Sequence, residues 1–364
     1  MPKLTLLEIA SRPVGTESGE GFICIPPYQT VLTHSTPLTG LSLVQGEKSI
    51  IVACSDTGDV YTGDLSSKSP DLTVFINTKG YPTAIVTMEG LNSENPDAVT
   101  AVCCDTAHKN VLWLGSDAPE PLVSSFEKGL LGPVALAVGG KHIFYADSGS
   151  KGTTGLHNPR GSVFALSTTN SLCIPVLSHW LAAPVALTYH DGILYIAEAG
   201  ENRILALEVS VDDKESGIGK DQLRFGSASV FYRISGLQNI VAMCKGPFNS
   251  LIVVTRRMGR HSRLRQKSII SSPMESDYSK DMKEETLTET FPTILHVIRC
   301  DTGEIYSQGV VPIQDVSSIV FDGLNNLYLA GVIIGDQEEE VNAIIDVSLA
   351  EMYAGFLVEG MDGY

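Results

Sequence analysis

The sequence predicts an all-β protein: a six-bladed β-propeller of four-stranded antiparallel blades. Three observations carry this. A strand–turn–strand pattern recurs six times along the 364 residues. Each copy is rich in Val, Ile, Leu and Tyr and is bounded by Gly, Asp and Asn, the composition of strands joined by turns. No copy contains the helical pattern, roughly 10–15 residues long, that an α/β fold needs between strands.

The clearest copy is PVALTYHDGILYIAEAGENRILAL at residues 184–207. A close copy, PVALAVGGKHIFYAD at 133–147, resumes with GSVFAL at 161–166, and the two PVAL tetrapeptides lie 51 residues apart. Weaker copies begin at Thr39, Pro82, Asn239 and Ser318. Units of roughly 45–50 residues match one four-stranded blade each. The chain thus reads as one propeller domain over residues 1–364, with a polar insertion at 257–290 inside the fifth blade. Short apolar segments at 21–32 (GFICIPPYQTVL) and 354–359 (AGFLVE) lie outside the repeats. A propeller gains by joining its chain ends in one blade, which removes an open edge. The N-terminal strand is therefore expected to pair with the last blade. Tyr145 and Tyr195 are read as equivalent repeat positions, both buried between blades.

Composition excludes several classes. Hydrophobic residues are 43% and charged residues 18%, too apolar for a disordered chain and too poor in charge for a coiled coil. A net charge of −17 repels phosphate backbones and anionic lipids, so neither nucleic acid nor a membrane surface is expected as a partner. The longest apolar run, residues 129–140, is too short to span a bilayer and is broken by Gly and Pro. The first fifteen residues carry no secretory pattern, which points to the cytoplasm. Seven cysteines without a CxxC spacing read as reduced core thiols, and the adjacent Cys103 and Cys104 should face opposite sides of a strand.

The fourth copy resembles an NHL repeat through Asp191, Gly192, Tyr195, Ile196, Ala197, Glu198, Asn202, Arg203 and Ile204, with Asn202 and Arg203 adjacent rather than spaced by one. The third copy carries Phe144–Asp147 of the same pattern, and the sixth carries Asp322-Gly323 and Leu327–Ala330. The resemblance is to the superfamily of NHL-repeat and strictosidine-synthase-like six-bladed propellers, which includes scaffolds, ligand binders and enzymes. Glu198, Asn202 and Arg203 are expected to build the blade: the acid accepts turn amides, Asn suits the tight turn, and Arg203 reaches an acid in its own or the next blade.

The same resemblance implies an alternative. Calcium-dependent lactonase- and esterase-type hydrolases of this fold hold the metal on the axis with hard oxygen ligands. Glu198, Asp147, Asn239 and Asp322 are the candidates for that role here. The blade openings, Thr39, Pro82, Pro133, Pro184, Asn239 and Ser318, are mostly non-ligating, which weighs against it. The eight histidines show no metal spacing, and neither a phosphate loop nor a GxSxG elbow occurs.

The insertion is charge-segregated. Residues 256–267 (RRMGRHSRLRQK) hold six Lys or Arg and no acid, whereas residues 274–290 hold six acids and two lysines. Arg256, Arg257, Arg260, Arg263 and Arg265 are the expected partner-binding residues. Ser262 follows a basic stretch and Ser272 precedes a proline, so both are candidate phosphosites. The leading expectation is a non-enzymatic scaffold without a cofactor. It would bind protein partners in a larger cytoplasmic assembly, of the cytoskeletal or ciliary kind. Calcium belongs only to the alternative.

Overall fold

A computed structural model describes residues 22–44, 48–67, 70–88, 100–115, 118–123, 130–149, 160–168, 172–212, 222–234, 238–257, 293–335 and 339–353. These form six antiparallel sheets arranged as the blades of a β-propeller. The innermost strands are Leu38–Val44, Pro82–Met88, Pro133–Gly139, Pro184–His190, Gln238–Gly246 and Gln314–Phe321. Each pairs with the second strand of its blade, and the ladders continue outward. The face at which the innermost strands begin is called the upper face below. Second strands end there, and the connections between blades cross it.

The blades hold together by burying both of their faces. Six apolar clusters occupy the six blade junctions. Ile51, Ala53, Ile85 and Cys103 join blades one and two, and Leu41, Val52, Tyr328 and Ile344 join blades six and one. A strand buried on both sides reads as a continuous apolar run, as in SIIVAC at Ser49–Cys54. Cys103 faces the first blade and Cys104 the third, as strand alternation requires. All seven thiols are free.

Ring closure follows the expectation and adds to it. Tyr28–His34 is the outermost strand of blade six, antiparallel to Glu340–Ser348. Just before it, Phe22–Cys24 adds to blade five, parallel to Ile305–Val311. One N-terminal segment thus ties two blades. Residues 354–359, expected as a strand, lie outside the described residues.

PVAL at 133–136 and at 184–187 occupies equivalent innermost strands, as expected. The alignment of Tyr145 with Tyr195 needs correction. Pro133 pairs with Asp147 and Pro184 with Glu198, so Tyr195 corresponds to Phe144 and Tyr145 to Ile196. Both tyrosines are buried, but Tyr145 packs toward blade two and Tyr195 toward blade five. A slip of one residue exchanges the two faces of a strand. Their hydroxyls both meet thiols: Tyr145 lies 3.0 Å from the Cys173 Sγ, and Tyr195 bonds Cys300.

The hairpin of blade four turns through Asp191 and Gly192, both with positive φ (47° and 79°). That is the requirement of a two-residue type I′ turn, and Asp-Gly meets it cheaply. The insertion connects Ser250–Arg257 to Thr293–Arg299 in blade five, and residues 258–292 lie outside the described residues.

Candidate functional site

Two places could carry function: the axis and the upper face. The axis holds a channel of about 250 Å³ lined by the innermost strands of all six blades. Its lining is aliphatic with scattered hydroxyls, among them Ser42, Thr83, Thr188 and Ser318, and with one cation, Lys245. No carboxylate, amide or imidazole lines it among the described residues. A larger groove of about 520 Å³ lies on the outer flank of blade four, beside Glu208 and Arg224, away from the axis.

The four carboxylate and amide candidates do not converge. Asp147 ends the second strand of blade three on the upper face, where its oxygens accept the amides of Leu131 (2.7 Å), Gly132 (2.9 Å) and Gly149 (2.9 Å). Glu198 ends the equivalent strand of blade four and is fully buried. It accepts the Ala182 amide at 2.6 Å and the Arg203 Nε at 2.5 Å. Asn239 stands on the innermost strand of blade five, half-buried, opposite Arg256 in the ladder. Asp322 sits in the hairpin of blade six, at the lower face, where it accepts the amides of Leu324 and Asn326 and the Asn326 side chain. Asp322 is therefore at the far end of the blades from Asp147 and Glu198. Among the described residues no group of three or more His, Cys, Asp or Glu side chains could hold a metal ion. A calcium ion needs six to eight oxygen ligands, and these residues do not fit one.

The acids have a different task, the one the blade-building reading anticipates. Asp147 and Glu198 each close a junction by satisfying amides from the end of the preceding blade or its connection, and Asp322 satisfies those of its own hairpin; all would otherwise be orphaned. Asp105 does the same in blade two, accepting the amides of Tyr81 (2.8 Å), Ala107 (3.1 Å) and His108 (3.2 Å) and bonding the His108 Nδ1 at 2.6 Å. Sequence reading missed Asp105, although it ends the strand TAVCCD as Asp147 ends HIFYAD. Asn202 adopts the positive φ (48°) of its tight turn, and Arg203 finds its acid within its own blade.

On the upper face, Arg256 pairs with Asp315 of blade six. The backbone of Arg257 ends its strand beside it. Arg260, Arg263, Arg265, Ser262 and Ser272 lie outside the described residues. Trp180 is 53% exposed and stands beneath the Arg203 guanidinium, whose central carbon is 5.4 Å from the ring centre.

His296 is buried in blade five, with its Nε2 2.8 Å from the Thr255 hydroxyl, which also donates to Gln238. Burial lowers its pKa from 6.5 to about 4, so the ring is neutral. Burial also raises the Cys103 thiol to about 12 and the Cys24 thiol to about 11. Neither is poised as a nucleophile.

No family profile matches the chain, and no curated protein matches it in sequence. Solved structures match it over most of its length. A luciferin-regenerating enzyme superposes with a TM-score of 0.59 at 12% identity, covering 89% of this chain and 95% of that one. A calcium-binding protein, regucalcin from Agrobacterium tumefaciens, gives 0.60 at 10% identity, covering 90% and 95%. A protein described as a gluconolactonase gives 0.55 at 13%, covering 90% and 94%. The chain has the six-bladed β-propeller fold of these proteins. At such identities the likeness is one of fold. No helix among the described residues is long and apolar enough to cross a membrane.

Proposed function

We propose that the protein is a non-enzymatic propeller that serves as a binding platform for protein partners in a larger cytoplasmic assembly, of the cytoskeletal or ciliary kind. One observation carries this reading. The acids that could have served an axial site are engaged in blade architecture, and the channel is lined by aliphatic groups and hydroxyls. A propeller whose axial channel is lined by no carboxylate, amide or imidazole among the described residues still offers two broad faces of loops. The arginines of the insertion, Arg256, Arg257, Arg260, Arg263 and Arg265, add a basic segment to an acidic protein. The test is replacement of these five by Ser. Folding should survive, while co-purification with the native assembly weakens, most clearly at low salt, where charge attraction is least screened. Full retention at low and high salt would remove the insertion from the interface.

A second reading is a calcium-dependent lactonase or esterase. It is favoured by the fold shared with a gluconolactonase, regucalcin and a luciferin-regenerating enzyme. It requires a calcium-dependent rise in melting temperature and lactone hydrolysis abolished by a chelator. Either result would displace the platform reading.

A further inference from the structure

We propose that the upper-face patch formed by Trp180, Arg203 and Arg233 is a docking surface for a partner peptide that carries carboxylates beside an apolar residue. The proposal rests on the platform reading and names the chemistry of the partner.

Three strands build the patch. Trp180 belongs to the outermost strand of blade three, Cys173–Ala182. Arg203 begins the third strand of blade four, and Arg233 ends the short outer strand Ser229–Arg233. Arg203 and Arg233 are direct partners in the antiparallel ladder. Directly opposed side chains share a face of the sheet, and like charges so placed repel. The neighbouring residues settle which face this is. Ile204 and Tyr232 pack toward blade five, so both arginines are on the side of blade three, where Trp180 stands.

The local charge is uncompensated. Glu198 neutralises one guanidinium from below, through the Arg203 Nε, and is wholly buried. Arg233 is exposed and makes no ion pair among the described residues. Glu201, exposed in the adjoining turn, pairs with neither arginine among the described residues. A basic spot is thus held beside an exposed indole in a chain of net charge −17. Glu198 and the Trp180 ring fix the Arg203 fork, so a carboxylate meets donors that lose little freedom on binding.

The apolar half of the partner also has a place. Trp180 exposes its indole near the end of its strand, and the connections leading into blades two and three expose Tyr81 and Leu131. All three lie at the upper-face ends of their segments, with Trp180 against Arg203. Exposed Trp and Arg side chains of this kind are the residues most enriched at interface hot spots. Charge complementarity selects an acidic occupant, and the exposed indole selects a peptide over a bare anion.

The experiment is selection of a random dodecapeptide library on the full-length protein, on Trp180→Ala and on Arg233→Glu. Arg203 is left intact because Glu198 depends on it. Both changes are at exposed positions, and Arg233→Glu sets a carboxylate opposite Arg203, so its melting temperature should hold or rise. The expected result is enrichment of peptides with Asp or Glu beside a large apolar residue. Binding of the selected peptides should fall by about tenfold or more on either variant and on replacing their acids with amides. The emission of Trp180 should shift on binding. Absence of enrichment, enrichment without acids, or equal enrichment on Arg233→Glu would overturn the proposal. So would retention of a random single-stranded RNA that Arg233→Glu abolishes, which would assign the patch to phosphates. So would self-association lost in the same variant, which would assign it to a second copy. Failure of the platform reading itself reads out separately, as calcium-dependent lactone hydrolysis.

Discussion

Glu198 and Arg203 form an ion pair within blade four, and the same carboxylate ties that blade to the one before it. The carboxylate has no exposed surface and takes the Arg203 Nε from its own blade and the Ala182 amide from the blade before it. Arg203 remains 15% exposed, so the pair is a buried anion tied to a cation at the rim. Removing the cation leaves the anion without compensation, and such losses cost about 3–5 kcal/mol. Arg203→Leu is therefore expected to lower stability by about that amount in urea unfolding. Glu198→Gln, which keeps an acceptor for Ala182, should cost less. Equal small losses for both would show that the pair is peripheral to stability.

Tyr195 fills the junction of blades four and five, with its ring edge-on to Phe231 at 5.1 Å. Tyr195→Ala should cost about 3–5 kcal/mol, as large aromatic deletions from cores do. Tyr195→Phe removes only the hydroxyl that bonds Cys300 and should cost about 1 kcal/mol. Thermal melts of the two variants, side by side, separate volume from hydrogen bonding.

His296 makes stability depend on pH. Its pKa is about 4 in the folded protein and 6.5 when freed. Between these values the unfolded chain binds the extra proton, so stability is present above pH 6.5 and is lost as pH falls toward 4. The loss attributable to this ring approaches about 3 kcal/mol at full development. His296→Gln should flatten that part of the profile in chemical denaturation at stepped pH. An unchanged slope would place the titration elsewhere.

Thiol accessibility follows burial. Cys24, Cys54, Cys103 and Cys104 are buried, and the raised pKa values of Cys24, Cys103 and Cys104 keep those three protonated at neutral pH. An aromatic disulfide reagent should label these three slowly in the native protein and all seven cysteines once it is unfolded. Rapid native labelling of Cys103 would contradict its placement between blades one and two.

The N-terminal segment closes the ring. Deleting residues up to His34 would bare the Glu340–Ser348 edge and remove the parallel strand from blade five. Unpaired edges invite association with other chains. The truncated protein should melt lower and sediment as larger species than the full chain, whereas unchanged sedimentation would mean that another segment covers the edge.

Blade number, strand composition and the opposite facing of Cys103 and Cys104 were legible in the linear pattern. They depend on local rules: turn residues, apolar runs and an alternation of two. The fate of Asp147, Glu198 and Asp322 was only half legible. Their repeat positions could be read, but not that their oxygens would be filled by amides arriving from the preceding blade or the hairpin. The Tyr145 and Tyr195 register failed by one residue because PVAL-to-acid spacing, not the tyrosines, sets the ladder. Tertiary structure alone decided that Phe22–Cys24 would pair in parallel with blade five, that His296 would be enclosed, and that Trp180 would meet Arg203. Each of these joins segments far apart in the chain, through neighbours that exist only once the six blades have closed into a ring.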